Sequence, residues 1–166
     1  LRNGFPPIEN YQYSAPITSI AIDPNNPETV YAGVGDSNWH RFGQGRIYIS
    51  QDAGSSWDII EPPVPSNAVI YSITVHPQDS SVLFISTDHG VLRSEDGGEQ
   101  WEEINEGLPH TDTRKLVMDP TDPDVLYLTM YSPPGEHPWQ GGVYKSIDGG
   151  ESWQPKNVGL GKSVGR

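Results

Sequence analysis

Apolar and polar residues alternate along much of the chain in short runs broken by Pro, Gly and Asp. That alternation describes half-buried β-strands. One such stretch ends in Ile22-Asp23-Pro24, a second in Val75-His76-Pro77 and a third in Met118-Asp119-Pro120. Eight residues beyond each Asp or His stands an aromatic (Tyr31, Phe84, Tyr127) inside an aliphatic run at 30–34, 82–87 and 125–130. Further strands are predicted at 46–50, 90–94 and 142–146, and fourth strands near 57–61, 101–105 and 153–157. No segment carries the 3.6-residue apolar spacing of an amphipathic helix.

The pattern is a repeat. Ser50, Asp52, Gly54 and Trp57 recur in register as Ser94, Asp96, Gly98 and Trp101, and again as Ser146, Asp148, Gly150 and Trp153. The shared form is S-x-D-x-G-x-x-W, set between the third and fourth strands of each unit. Units of 43 to 53 residues with four strands each predict the blades of a β-propeller rather than a helical solenoid. The expected architecture is all-β, with blades at about 16–61, 68–105 and 112–157. Residues 1–15 and 158–166 are expected to be linkers or the ends of neighbouring blades. Asn3-Gly4-Phe5-Pro6 and Asn157-Val158-Gly159-Leu160 both echo Asn105-Glu106-Gly107-Leu108-Pro109, so the three blades are expected to form one partial propeller domain of a larger ring.

The repeated turn has a physical rationale. Its Gly suits a backbone with positive φ in a tight reversal. The Asp can accept backbone N–H groups as in an Asx-turn, the Ser adds a hydroxyl, and the Trp buries apolar area beside a sheet edge or neighbouring blade. A calcium loop needs further oxygen ligands, which these turns lack, so no metal is expected in them.

These three turns resemble the Asp-box, or bacterial neuraminidase repeat, of the sialidase-like, xyloglucanase-like, sortilin-like and photosystem II assembly factor propellers. The resemblance covers Pro16 to Asn157. It implies a propeller with the box as a fold element away from the active face, and an exported location: secreted, periplasmic or cell-surface. It leaves the activity divided. Sialidases carry an Arg-Ile-Pro motif and three substrate-gripping arginines; here Gly45-Arg46-Ile47-Tyr48 lacks the Pro. The Arg-Thr-Asp-x-Gly-Gly context of the xyloglucanases is absent, and Thr87-Asp88-His89-Gly90 is its nearest echo.

Charge narrows the partners. With 22 acidic against 10 basic side chains the formal charge is -12, which disfavours nucleic acid and anionic membrane surfaces. There is no cysteine, which excludes disulfides and thiolate metal sites, and no apolar run of membrane-spanning length. His40, His76, His89, His110 and His137 have no metal-ligand spacing, and no Gly-rich segment opens a helix, so no cofactor is expected. His76 replaces the turn Asp of its sister repeats and is expected to serve that turn.

Candidate chemistry falls on the face opposite the boxes. From the second-strand aromatic to the box Ser is 19 residues in the first and third units and 10 in the second. Two units therefore carry insertions on one face. The first holds Asp36, Trp39, His40 and Arg41, and the second holds Glu136, His137 and Trp139. Aromatics beside polar side chains suit a glycan or protein ligand, although the Trp side chains could equally pack down their own loops. The link before the third unit adds Asp112 and Arg114, and Tyr71 holds the place equivalent to Arg114 in the second unit. The ligand-binding candidates are thus Trp39, His40, Arg41, His137, Trp139 and Arg114; the catalytic candidates are Asp36, Glu136 and Asp112, with Asp88 on the same face. Nothing in the sequence orders these carboxylates into the flanking pair a glycosidase needs. The expectation is a non-catalytic propeller module that binds a glycan or protein. The alternative is part of a xyloglucanase-like glycoside hydrolase completed by blades outside this chain.

Overall fold

A computed structural model describes residues 16–35, 45–131 and 141–160. The first sheet comprises β1 (Ile17–Ile22), β2 (Val30–Val34), β3 (Ile47–Ser50) and β4 (Asp58–Ile60). The second comprises β5 (Ile70–Val75), β6 (Leu83–Thr87), β7 (Gly90–Ser94) and β8 (Glu102–Glu103). The third comprises β9 (Thr113–Met118), β10 (Leu126–Met130), β11 (Gly142–Ser146) and β12 (Gln154–Pro155). Each sheet is an antiparallel meander in chain order, as the alternation predicts. The fourth strands are shorter than the sequence suggests, two or three residues each.

The sheets pack face to face, and the period-two pattern decides which side chains meet. Tyr31 of the first sheet joins Ile70, Ile73, Val75, Leu83, Ile85 and Leu92 of the second. On the other side of the second sheet, Phe84 joins Leu116, Leu126, Leu128, Tyr144 and Trp153 of the third. Adjacent residues of β6 thus serve opposite interfaces, which requires strict alternation. Equivalent positions fare differently where no described sheet faces them. Tyr31 and Phe84 are each 3% exposed, whereas Tyr127 is 38% exposed. Ile73 is 5% and Leu116 1% exposed, against 69% for their counterpart Ile20. Of the three tryptophans of the repeated turns, only Trp153 is fully buried; Trp57 and Trp101 are half-buried, less than the sequence reading expects.

Hydroxyls join the innermost strands of neighbouring sheets. Ser19 Oγ accepts the Ile73 N–H at 3.0 Å, and Ser72 Oγ accepts the Leu116 N–H at 2.9 Å. Thr18 Oγ1 donates to Ile70 O at 2.6 Å, and Thr113 Oγ1 donates to Thr87 O at 2.6 Å. Each innermost strand has one edge with no ladder partner, and the bonds to Ile73, Leu116 and Ile70 satisfy backbone groups of β5 and β9, whereas the Thr113 bond reaches the end of β6.

The box turns have the bonding that their residue types require. Gly54, Gly98 and Gly150 have φ of 88°, 97° and 95°. In the first turn Ser50 Oγ donates to Asp52 Oδ1 at 2.8 Å and accepts the Gly54 N–H at 2.8 Å. Asp52 Oδ1 accepts the Ser56 N–H at 2.8 Å. The other two turns repeat this, with Ser94 and Ser146 accepting from Gly98 and Gly150 at 2.8 Å. Each turn is also tied to the β1–β2 type connection of its own sheet. Ala53, Gly97 and Gly149 N–H groups donate to Glu28, Ser81 and Asp124 carbonyls at 2.8, 2.8 and 3.0 Å. His76 serves its turn as expected: its Nδ1 accepts the Gln78 N–H at 3.2 Å. Asp23 and Asp119 play the same part with Asn25 and Thr121.

Candidate functional site

Because box turns and first connections occupy one rim, the opposite rim holds the β6–β7 turn, the ends of β2 and β10, the starts of β3 and β11, and the links between sheets. On it the second and third sheets bring together Tyr71, Asp88, His89, His110, Asp112, Arg114 and Tyr131. Backbone irregularities help aim these side chains. Pairing of β1 with β2 slips at Thr18, and pairing of β5 with β6 slips at Tyr71. Pairing of β9 with β10 slips between Thr113 and Leu116, where Arg114 lies. One extra residue at the same place in each innermost strand is a β-bulge, which turns a side chain out of the regular alternation.

Arg114 is the centre of the cluster. Its guanidinium carbon lies 4.1 Å from the Tyr71 ring centroid and 5.0 Å from that of Tyr131. Its Nη1 pairs with Asp112 Oδ1 and donates to Thr113 O at 3.3 Å. The Tyr131 N–H donates to Asp112 O at 3.1 Å, which fixes the end of β10 against the link before β9. Burial pushes the Asp112 carboxyl above the usual carboxylate range; Arg114 opposes that shift and Asp88 adds to it. Burial likewise raises the Tyr71 hydroxyl.

Asp88 sits in the two-residue β6–β7 turn. Its Oδ1 accepts the Val69 N–H at 2.9 Å and lies 2.9 Å from His89 Nδ1. His110 Nδ1 accepts the Asp112 N–H at 3.2 Å, while its Nε2 is buried with no hydrogen-bond partner among the described residues. Of the candidates read from sequence, Asp112 and Arg114 therefore share one site, and Asp88 lies on the same rim. Asp36, Trp39, His40, Arg41, Glu136, His137 and Trp139 fall outside the described residues. His110 is weighed in the sequence only for metal spacing, and Tyr131 only as the head of the second insertion, at the place that Asp88 holds in the second unit.

Arg93, at a strand position shared with Ile49 and Lys145, belongs to the other rim. It contacts Glu102 of its own sheet at 2.7 Å and Glu151 of the third sheet's box turn at 2.7 Å. It is an inter-sheet tie, not a ligand-gripping arginine.

Two comparisons place the architecture. Among solved structures, an ancestral GH74 enzyme superposes with a TM-score of 0.70 at 24% identity, covering 89% of this chain and 21% of that one. YCF48 from Cyanidioschyzon merolae gives 0.59 at 16% identity, covering 87% and 38%. Both are β-propellers. The three sheets are propeller blades. A scan against protein-family models finds no match. Among curated proteins, the oligoxyloglucan-reducing end-specific xyloglucanase of Emericella nidulans is 27% identical over 148 residues. That match takes in 82% of this chain and 17% of the relative. The xyloglucanase of Hypocrea jecorina is 31% identical over 134 residues, 81% of this chain and 14% of the relative. These two relatives are xyloglucanases, and the chain spans less than a fifth of the length of either.

Proposed function

We propose that these blades contribute to a glycoside hydrolase acting on xyloglucan or a related β-glucan. The glycan would cross the rim opposite the box turns. One observation carries this reading: Asp112, a half-buried carboxyl held above its ordinary range, lies within electrostatic reach of Asp88 on the rim that the box turns leave free. Of two carboxyl groups on one rim, one can donate a proton to a glycosidic oxygen while the other supports the opposite face of the sugar. The xyloglucanase relatives support the same substrate class. Asp36 and Glu136 are further proposed carboxylates, with Trp39, His40, Arg41, His137 and Trp139 as proposed glycan contacts from the two insertions.

The test is release of reducing sugar from xyloglucan, mixed-linkage β-glucan and cellulose by the protein, beside Asp88→Asn and Asp112→Asn. Hydrolysis of xyloglucan that falls on the order of a hundredfold in either variant supports the reading. No hydrolysis of any of the three rules the catalytic part out. The Asp112–Arg114 ion pair favours a second reading, a module that binds a glycan without cleaving it, because a carboxylate neutralised by a guanidinium suits recognition better than proton transfer. Retention of the protein in xyloglucan-containing gels without hydrolysis identifies that case.

A further inference from the structure

We propose that Tyr71, Arg114, Tyr131 and Asp112 form a subsite for one uncharged pyranose ring. The proposal deepens the glycan reading above and rests on it for the choice of rim. The observation behind it is the bulge geometry. Tyr71 and Arg114 hold equivalent places in neighbouring blades, both at slips in the strand register. Arg114 lies between two aromatic rings that come from different blades. A planar cation between two rings sets their spacing and orientation, so the outer ring is held ready rather than ordered on binding. Tyr131 is that outer ring, 44% exposed. Its exposed surface offers apolar ring area of the kind that a sugar's C–H face packs on.

Polar matching stands beside the plane. Asp112 supplies a carboxylate acceptor in Oδ2, its Oδ1 being buried against Arg114, and Arg114 supplies guanidinium donors, side by side in one ion pair. Adjacent hydroxyls on a sugar ring can each find a partner of the right kind there. Charge selects against acidic sugars. The only arginine of the cluster is already opposed by Asp112, Asp88 lies close by, and the whole chain carries a formal charge of -12. A uronic acid would meet two carboxylates and no free cation among the described residues of the cluster. A neutral ring meets no such penalty.

Titration of the protein with a neutral xyloglucan oligosaccharide and with an acidic oligogalacturonide, followed by calorimetry or protein NMR, tests the assignment. The neutral probe should bind, and Tyr131→Ala should weaken it by about tenfold, the scale of one lost aromatic stacking contact. Asp112→Asn and Arg114→Lys should weaken it without changing the far-ultraviolet circular dichroism, while the oligogalacturonide should bind at least tenfold more weakly. An unchanged affinity in Tyr131→Ala, tighter binding of the acidic probe, or no binding of the neutral one overturns the subsite. These outcomes are separable from the hydrolase reading. A protein that cleaves xyloglucan normally with Tyr131→Ala keeps the reaction and loses the subsite. One that binds through Tyr131 but never cleaves keeps the subsite and loses the reaction.

Discussion

Ser72 Oγ accepts the N–H of Leu116 at 2.9 Å, joining the innermost strand of the second blade to that of the third. The same hydroxyl lies 2.8 Å from Ser86 Oγ, and both serines are fully buried. Replacing Ser72 by Ala leaves a buried backbone donor without its acceptor. We expect a loss of about 1–3 kcal/mol in unfolding free energy, read by denaturant titration. Ser19→Ala, at the equivalent but half-buried place, should cost less, because water can reach the Ile73 N–H.

Ala53 has a φ of 54°, the sole positive value for a non-glycine among the described residues. Its counterparts in the other two box turns are Gly97 and Gly149, at 75° and 67°. A Cβ in the left-handed region costs about 1 kcal/mol, part of which is offset by the greater chain entropy of glycine when unfolded. Ala53→Gly should therefore raise stability by about 0.5 kcal/mol, visible as a higher melting temperature. A lower one would show that the alanine methyl makes a contact outweighing the strain.

The three box carboxyls give the fold a defined acid limit. The Ser56 hydroxyl, foremost, holds Asp52 down to about 2 from its ordinary 3.8. The Gln100 N–H lowers Asp96, and the Ser146 hydroxyl lowers Asp148. A folded pKa below the unfolded one means that the unfolded chain binds more protons in between, so stability is complete above pH of about 4 and falls as pH drops towards 2. Asp112 is shifted the other way by burial, so its contribution works against the native state as pH rises through its folded value. Stability measured from pH 5 to 2 should decline steeply, and Asp52→Asn should flatten that decline. An unchanged slope in the variant would show that Asp52 is not a source of the acid sensitivity.

Arg93 is 16% exposed and bridges to Glu151 of the next blade at 2.7 Å. Because Glu151 itself is 63% exposed, solvent screens the pair, and a double-mutant cycle of Arg93→Met with Glu151→Gln should give a coupling below about 1 kcal/mol. Raising the ionic strength should shrink it further. A larger, salt-independent coupling would mean that the bridge is far less hydrated than its exposure indicates.

What the sequence discloses here is what repeats. Ser, Asp, Gly and Trp at fixed spacing, the turn Asp with His76 standing in for it, and the alternation of Leu83, Phe84 and Ile85 all follow from local chemistry and a period of two. The register of the blades is therefore legible, and so is the rim from which the long connections leave. The Tyr71–Arg114–Tyr131 stack is not, although Tyr71 and Arg114 can be seen to occupy equivalent places. Its members come from two blades, and a bulge, which breaks the period, is what aims them. Burial also departs from the repeat: Ile20 and Tyr127 stand at the places that Ile73 and Phe84 hold in the core, yet each depends on a neighbouring sheet to cover it. Periodicity reports which side of its own strand a residue occupies, not what lies opposite.

The separation of the two rims has a consequence for how such a chain can change. Every box turn is fastened to the first connection of its own blade through a backbone bond from Ala53, Gly97 or Gly149, so the determinants of folding gather on one rim. The β2–β3 and β10–β11 connections, where the 19-residue spacings arise, leave from the other. Mutational drift in those connections is insulated from the turns that specify the blades. Sequence change can then accumulate there while the scaffold is inherited intact.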